Sequence, residues 1–338
     1  MKSLRISLCI VSNHGGTLLE ETIASAAPYI EELIILDRSR SPWTFSLSNQ
    51  YNAKLVLLPQ DRSERDVQIE AIRQASCDWM LLLQEGDRLA VTEEWDSFMD
   101  DVEAYRTAFI RYRGKLVLTE PDASLVAQSL PVLFHLSSNR MIEDYYVRQL
   151  DRMENVDFVS TTECPITIHR TRTLTQLQAQ LEHLTEGSAG ERSYWQGQIE
   201  YYEGNYEEAI ASLQIALMEL PITSIYSSHA KLRLAQCCLM LQLMEPCLHT
   251  IDEALQMDPD YADLHYVRAL AYIYEEQYEE AADSLLQAAA AMSMRSYYLS
   301  DASLDPHQCY RLAASCYSKL QHMEKMMELM EIVLTEPI

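Results

Sequence analysis

The chain is poor in the residues that loosen a backbone. Among its 338 residues are only 8 glycines and 11 prolines, too few for long flexible linkers. It is also poor in positive charge: 26 Lys and Arg stand against 51 Asp and Glu, a net charge of −25. Such a surface repels a phosphate backbone, which excludes nucleic acid as the expected partner. A basic partner, or simple solubility, fits better. Long apolar runs are missing too. No stretch approaches the roughly 20 residues of a membrane span. The segment Leu4 to Val11 is short, carries Arg5, and is followed by no signal-peptide cleavage pattern. The 8 cysteines include no CxxC pair: Cys9, Cys77 and Cys164 are scattered and Cys237 and Cys238 adjacent. They read as reduced, mostly buried thiols of a cytoplasmic protein.

What is present is ample core material, 48% apolar residues over a length sufficient for two domains. The first half is organised around Asp78 to Leu89. There the apolar run Trp79 to Leu83 meets the polar cluster Gln84-Glu85-Gly86-Asp87. A short apolar run without alternation reads as a strand buried on both faces. Strands are likewise expected at Leu4 to Val11, Glu31 to Asp37 and Lys54 to Leu58. Helices are expected at Thr17 to Tyr29, Phe45 to Tyr51 and Arg62 to Ala75. Alternating strands and helices predict a largely parallel sheet with helices on both faces. Asp37 and Asp87 then both project from carboxyl strand ends, the edge where open α/β sheets bind ligands.

Several residues carry a resemblance: Val11-Ser12-Asn13 closing the first strand, Ala27 to Asp37, Asn52 to Leu55, and Asp78-Trp79 before a strand and acidic cluster. Residues 4–90 resemble the nucleotide-sugar-binding domain of glycosyltransferase family 2, particularly members fused to tetratricopeptide (TPR) repeats. Pro131 to Phe134 and Pro165 to His169 look like its late strands. The resemblance implies a Rossmann-like GT-A type fold over residues 1–170 and inverting sugar transfer from a nucleotide-sugar donor to a protein or peptide acceptor. It also implies a divalent metal, Mn or Mg, bridging the diphosphate. The residues expected at the nucleotide-sugar are Asn13, Asp37, Arg38, Arg40, Glu85 and Asp87, and those at the metal Glu85, Asp87 and His169; the resemblance itself implies the roles of Asp37 and His169. Glu143 and Asp144 are candidate general bases.

The departures from that family are concentrated at its polar motifs. Its Asn-Glu-Glu turn is Asn13-His14-Gly15 here, and Asp37 is followed by Arg38-Ser39-Arg40. Its Asp-x-Asp metal motif is Gln84-Glu85-Gly86, which removes two oxygen ligands. Glu85 and Asp87 are two apart and can face one side of an extended stretch. Arg38 or Arg40 can pair with phosphate directly. Each candidate also has a structural reading: Glu85-Gly86-Asp87 as a strand-to-loop turn, Asp37 as a helix cap, His169 as a strand-end histidine, Glu143-Asp144 as an acidic loop. The alternative function is a catalytically inactive relative serving as a scaffold.

Residues 171–190 read as a connecting helix and a break, after which the chain is helical and repeats. Gly197, Ala235, Ala269 and Ala313 begin units spaced 38, 34 and 44 residues apart. Ala209, Cys247 and Ala281 follow at a second small position, with Lys325 there in the last unit. The pattern is similar to the tetratricopeptide repeat, whose unit is about 34 residues. About four such repeats over residues 191–338 form an α-solenoid. Its helices approach closely at the small residues, and its concave face binds peptides or proteins. Candidate groove residues are Tyr201, Tyr202, Tyr272, Tyr274, Arg233 and Arg268. Four repeats also suffice to brace the first domain or to mediate a homodimer. The insertion Met292 to Asp305 is expected to be a loop or extended helix.

Overall fold

The protein is described here by a computed structural model covering residues 5–59, 64–104, 111–136, 159–183, 189–222, 224–292, 298–301 and 303–335. The chain divides into two compact units: Met1–Val117 with Ser129–Thr171, and Leu118–Gln128 with Arg172–Ile338.

In the first unit β1 (Ile6–Ser12), β2 (Glu32–Asp37), β3 (Lys54–Leu57) and β4 (Trp79–Gln84) pair in parallel in the order β3-β2-β1-β4. Helices α1 (Thr17–Ala26), α2 (Pro42–Gln50) and α3 (Glu64–Gln74) lie between them in the chain. Every residue of β1 is buried, which explains its lack of alternation. One face sets Cys9, Val11, Ile34, Leu36 and Met80 against Val67 and Ala71 of α3. On the other face Leu8, Ile10, Ile35, Leu81 and Leu83 are buried as well.

The parallel arrangement expected from the strand-helix alternation holds for these four strands, and beyond them the pairing turns antiparallel. Beyond β4 come β5 (Arg88–Val91), α4 (Trp95–Ala104), β6 (Arg111–Thr119), β7 (Leu125–His135) and β8 (Val159–Thr171). The order continues β4-β7-β6-β8-β5, with β4–β7 and β5–β8 antiparallel. The reason lies in the connections. The chain leaves β4 through a tight turn, Asp87 N–H donating to Gln84 C=O at 3.0 Å, and not through a crossover helix. The link from β6 to β7 is the turn Glu120 to Ser124, too short for anything but a hairpin.

The second unit begins with α5 (Leu174–His183) and continues as consecutive helix pairs: α6 (Ala189–Glu203) and α7 (Tyr206–Glu219), α8 (Ile225–Met240) and α9 (Met244–Met257), α10 (Ala262–Tyr274) and α11 (Tyr278–Met292), α12 (Pro306–Lys319) and α13 (Met323–Thr335). This is a TPR-like helical solenoid. Gly197, Ala209, Leu213 and Ala216 meet at the first crossing, where a Cβ on Gly197 would stand 2.7 Å from Leu213 Cγ. The repeat is also written in the backbone. Gly204, Gln242, Glu276 and Gln321 each close the first helix of a pair with φ of 81°, 59°, 60° and 60°, the left-handed conformation that ends helices. Aligned on this loop residue, Met326 and not Lys325 stands at the position of Ala281. Lys325 lies outside the core, its Nζ 4.8 Å over the Tyr317 ring.

Two features of the second unit were not expected. The insertion after α11 contains a short strand, β9 (Ser300–Asp301), and Tyr298 stacks on Tyr261 at 4.4 Å. Tyr297 lies outside the described residues. The tip of the β6–β7 hairpin also belongs to this unit: Val126 and Ala127 pair antiparallel with Asp301 and Ser300.

The close approach at Gly197 sets the first helix crossing. Gly197→Val should cost about 2 kcal/mol through overpacking against Leu213, read as a lower midpoint in chemical denaturation with an unchanged slope.

Candidate functional site

The carboxyl edge of the parallel strands was the expected site. Register places Ser12 beside Asp37 and Val11 beside Gln84. Ser12, Asp37 and Glu85 therefore come to one face at neighbouring strand ends. Each of these groups is engaged within the chain. Asp37 is buried; its Oδ1 accepts from the Ser39 N–H at 2.9 Å and hydroxyl at 2.6 Å, and its Oδ2 from the Arg40 N–H at 3.1 Å. It thereby holds Arg40 at φ 52°, a conformation that costs a non-glycine residue about 1 kcal/mol or more. Ser41, not Asp37, caps α2, its Oγ accepting from the Trp43 N–H.

Glu85 is turned toward the loop after β1. Its Oε2 accepts from Ser12 Oγ at 3.1 Å, Asn13 N–H at 2.8 Å and His14 N–H at 2.9 Å. Those two amides are donors an anionic ligand would otherwise use. Its Oε1 is buried and has no hydrogen-bond partner among the described residues. Gly86 follows at φ +94°, the third residue of the Gln84–Asp87 turn, a place that favours glycine.

Asp87 does not face an open cleft. It is fully buried and gripped by Arg170 through two parallel bonds, Nε to Oδ1 at 2.6 Å and Nη2 to Oδ2 at 2.8 Å. The Gln84 N–H adds a third at 2.8 Å. His169 precedes Arg170 in β8, so its side chain leaves the opposite face of that strand, where it is exposed. Glu85, Asp87 and His169 therefore do not converge. Among the described residues no three His, Cys, Asp or Glu side chains gather as a metal-ligand set. As arranged, the three expected donors do not fit Mn or Mg. Asn13 and Arg40 are exposed and Arg38 half-buried. Glu143 and Asp144 lie outside the described residues. Arg170 was missed, although the strand pattern signals it: after buried Ile166 and Ile168, Arg170 is the next inward position and needs a counter-ion.

In the second unit the groove candidates part company. Arg233 on α8 is buried and stacks over Tyr201 at 4.4 Å and Tyr202 at 5.2 Å. It donates to Gln198 Oε1, Gln236 Oε1 and the Tyr202 hydroxyl. Burial pushes the Tyr202 phenol up, with Arg233 opposing and Glu120 adding to the rise. Glu120, on the hairpin tip, is buried and accepts from Arg172 Nη1 at 3.2 Å, while Arg172 lies over Trp195 at 5.2 Å. The Thr119 C=O accepts from the Arg172 N–H at 2.8 Å. Tyr201, Tyr202 and Arg233 are thus joined to a hairpin of the same chain. Arg268 turns elsewhere, toward Ser284 and Gln287 of α11 and Asp252 of α9. Tyr272 packs into the core of the later repeats and Tyr274 is exposed.

Asp263 on α10 is a second residue that sequence reasoning missed. It is buried and accepts from the Asp301 N–H at 2.7 Å, fastening β9 to the helix. Burial raises its carboxyl to about 6, with the Asp301 amide opposing that rise.

Two outcomes follow from these buried carboxylates. Asp87→Ala strands the Arg170 guanidinium and should cost about 3 kcal/mol, a loss of denaturation midpoint that added manganese does not change. Asp263 binds its proton more tightly folded than unfolded. Its stabilising contribution is complete below the unfolded value near 3.8 and lost as pH rises through about 6. Stability should therefore fall by roughly 2–3 kcal/mol across that window, and Asp263→Asn should flatten this part of a denaturation-versus-pH profile.

No family model matches the chain. Among curated proteins, 79 residues are 32% identical to DnaJ homolog subfamily C member 3 of Gallus gallus, covering 23% of this chain and 16% of that protein. Another 28% identity over 110 residues relates it to a TPR repeat-containing protein of Synechococcus elongatus, covering 32% of this chain and 27% of that protein. The chain thus spans only a minor part of either relative. Among solved structures, MamA from Desulfovibrio magneticus RS-1 superposes with a TM-score of 0.37 at 18% identity, over 48% of this chain and 81% of that one. No described helix is long and apolar enough to cross a membrane. The helical half of the chain is similar to TPR repeat proteins, and nothing in these comparisons supports a glycosyltransferase domain.

Proposed function

We propose that this chain is a protein-interaction scaffold, in which TPR-like repeats carry recognition and the α/β unit is a catalytically inactive relative of a nucleotide-sugar-binding domain. One observation carries the second half of that reading: the polar groups at the strand edge are spent inside the fold. Asp87 is closed on Arg170, Asp37 on its own turn, and Glu85 on the β1 loop. A ligand for that edge must first break these bonds. The TPR similarity supports the first half.

A second reading, a glycosyltransferase acting on a protein or peptide held by the repeats, is favoured by one feature. Ser12, Asp37 and Glu85 stand in register on one face at the edge where such sheets bind ligands. Calorimetry with uridine and guanosine diphospho-sugars, with and without manganese, separates the two. The scaffold reading expects no heat beyond dilution. Saturable binding that is lost in Asp37→Asn would overturn it.

A further inference from the structure

The β6–β7 hairpin ends in a turn that keeps its own shape. The Ala123 N–H donates to the Glu120 C=O at 2.9 Å, and the Glu120 N–H to the Ser124 C=O at 2.9 Å. Asp122 Oδ1 accepts from the Ser124 N–H at 3.0 Å and from its hydroxyl at 2.6 Å. Pro121 presets the turn, while Ala123 stands at φ 65°, where such hairpin loops favour glycine. Leu118 and Val126 are buried on either side. Between them only Glu120 is buried; Thr119, Pro121 and Ser124 are half-buried, and Asp122, Ala123 and Leu125 are exposed. The tip is therefore held to the helical unit by one acidic side chain and by the bond from the Arg172 N–H to the Thr119 C=O, with no apolar residue of the turn buried.

The place that receives Glu120 holds more positive charge than Glu120 brings negative. Arg172 gives it a single bond, Nη1 to Oε1, where a guanidinium can give two. Arg233 is bonded to Gln198 and Tyr202, and its charge and that of Glu120 both act on the Tyr202 phenol. Asp122 acts there too, but it is exposed and bonded to its own Ser124. Glu120 Oε2 and Gln198 Nε2 are buried and have no hydrogen-bond partner among the described residues. Buried polar atoms left unbonded are costly, and these two stand on opposite sides of one contact, the tip and α6. The tip thus fits its site incompletely. We propose that this cluster recognises an acidic segment of a partner protein, and that the Glu120 tip is an autoinhibitory plug that holds it shut in the free chain. A partner carboxylate that also accepts from the Gln198 amide outcompetes the tip. The half-buried rings of Tyr201 and Tyr202 stand beside the arginine and give a peptide more to hold than a bare anion has. This partner class rests on the scaffold reading and gives it a site.

The test uses the full chain and, as probe, a backbone-cyclised peptide carrying residues 118–126, labelled for fluorescence anisotropy. In the native chain the resident tip competes at an effective concentration on the order of millimolar, so the probe should bind weakly. Glu120→Lys sets a cation against Arg172 and turns the tip out. Its affinity for the probe should be at least about tenfold higher, and should fall as salt rises. Glu120→Gln keeps the side chain's shape, should move the affinity in the same direction, and answers the question if the lysine chain fails to fold. A probe carrying Glu120→Gln should bind these opened chains at least about tenfold more weakly. The Arg172 amide, released by Thr119, should exchange its hydrogen faster in the opened chains than in the native one. Equal affinity of native and substituted chains, binding to none of them, or a glutamine probe that binds as well overturns the plug and leaves the scaffold reading standing. Inorganic phosphate that displaces the probe as well as unlabelled peptide does overturns the acidic-segment assignment, because the site is then one for small anions. Saturable nucleotide-sugar binding overturns the scaffold reading instead.

Discussion

A carboxylate with no access to water must have its charge met inside the fold, and Asp87 is the place where this constraint organises the α/β unit. It sits past the end of a parallel strand, at a turn that only a glycine at Gly86 makes easily. Its two oxygens are taken by the planar fork of Arg170 on β8 and by the Gln84 amide. The pair fastens the end of the parallel half of the sheet to the antiparallel half. Such a bond adds less stability than its short distances suggest, because both ions lose hydration on burial. What it fixes is geometry: removing either partner leaves an uncompensated charge, so the turn after β4 is tied to β8.

The same rule operates differently in the helical unit. Arg233 is buried, and among the described residues no carboxylate is paired with it directly. Two tyrosine faces, two glutamine oxygens and a phenol satisfy its guanidinium. The nearby carboxylate, Glu120, arrives on the hairpin tip and is bonded to Arg172. Aromatic faces attract a cation without bringing a second buried charge, so the cluster avoids much of the desolvation that an ion pair would add. One consequence is topological. Three of the expected groove residues, Tyr201, Tyr202 and Arg233, are already engaged within their own chain.

The elements of both halves were legible because each was written in a period. Cys9 to Val11 and Trp79 to Leu81 carry unbroken burial, and Ala209, Cys247 and Ala281 recur at one interhelical contact. The antiparallel strand β6 was harder, since Arg111 to Thr119 mixes charged and apolar residues without a strong alternation. The register of the last repeat slipped by one residue because Ala313 and Ala314 are both small. Only the left-handed residue at Gln321 resolves it, and glutamine carries no signal for that conformation. The site was less legible still. Types of residue were correctly read as polar and adjacent to strand ends, but whether a carboxylate faces solvent or an arginine depends on a residue far along the chain. Arg170 lies beyond several strands from Asp87, and no local pattern joins them.

Magnitudes weigh against a ligand at the strand edge. A ligand at the strand edge that needs Asp87 must open a pair whose rupture costs about 3–5 kcal/mol. That reduces apparent affinity by about two to three and a half orders of magnitude, at about 1.4 kcal/mol per tenfold. Glu85 asks for a further release, since its Oε2 already holds three donors.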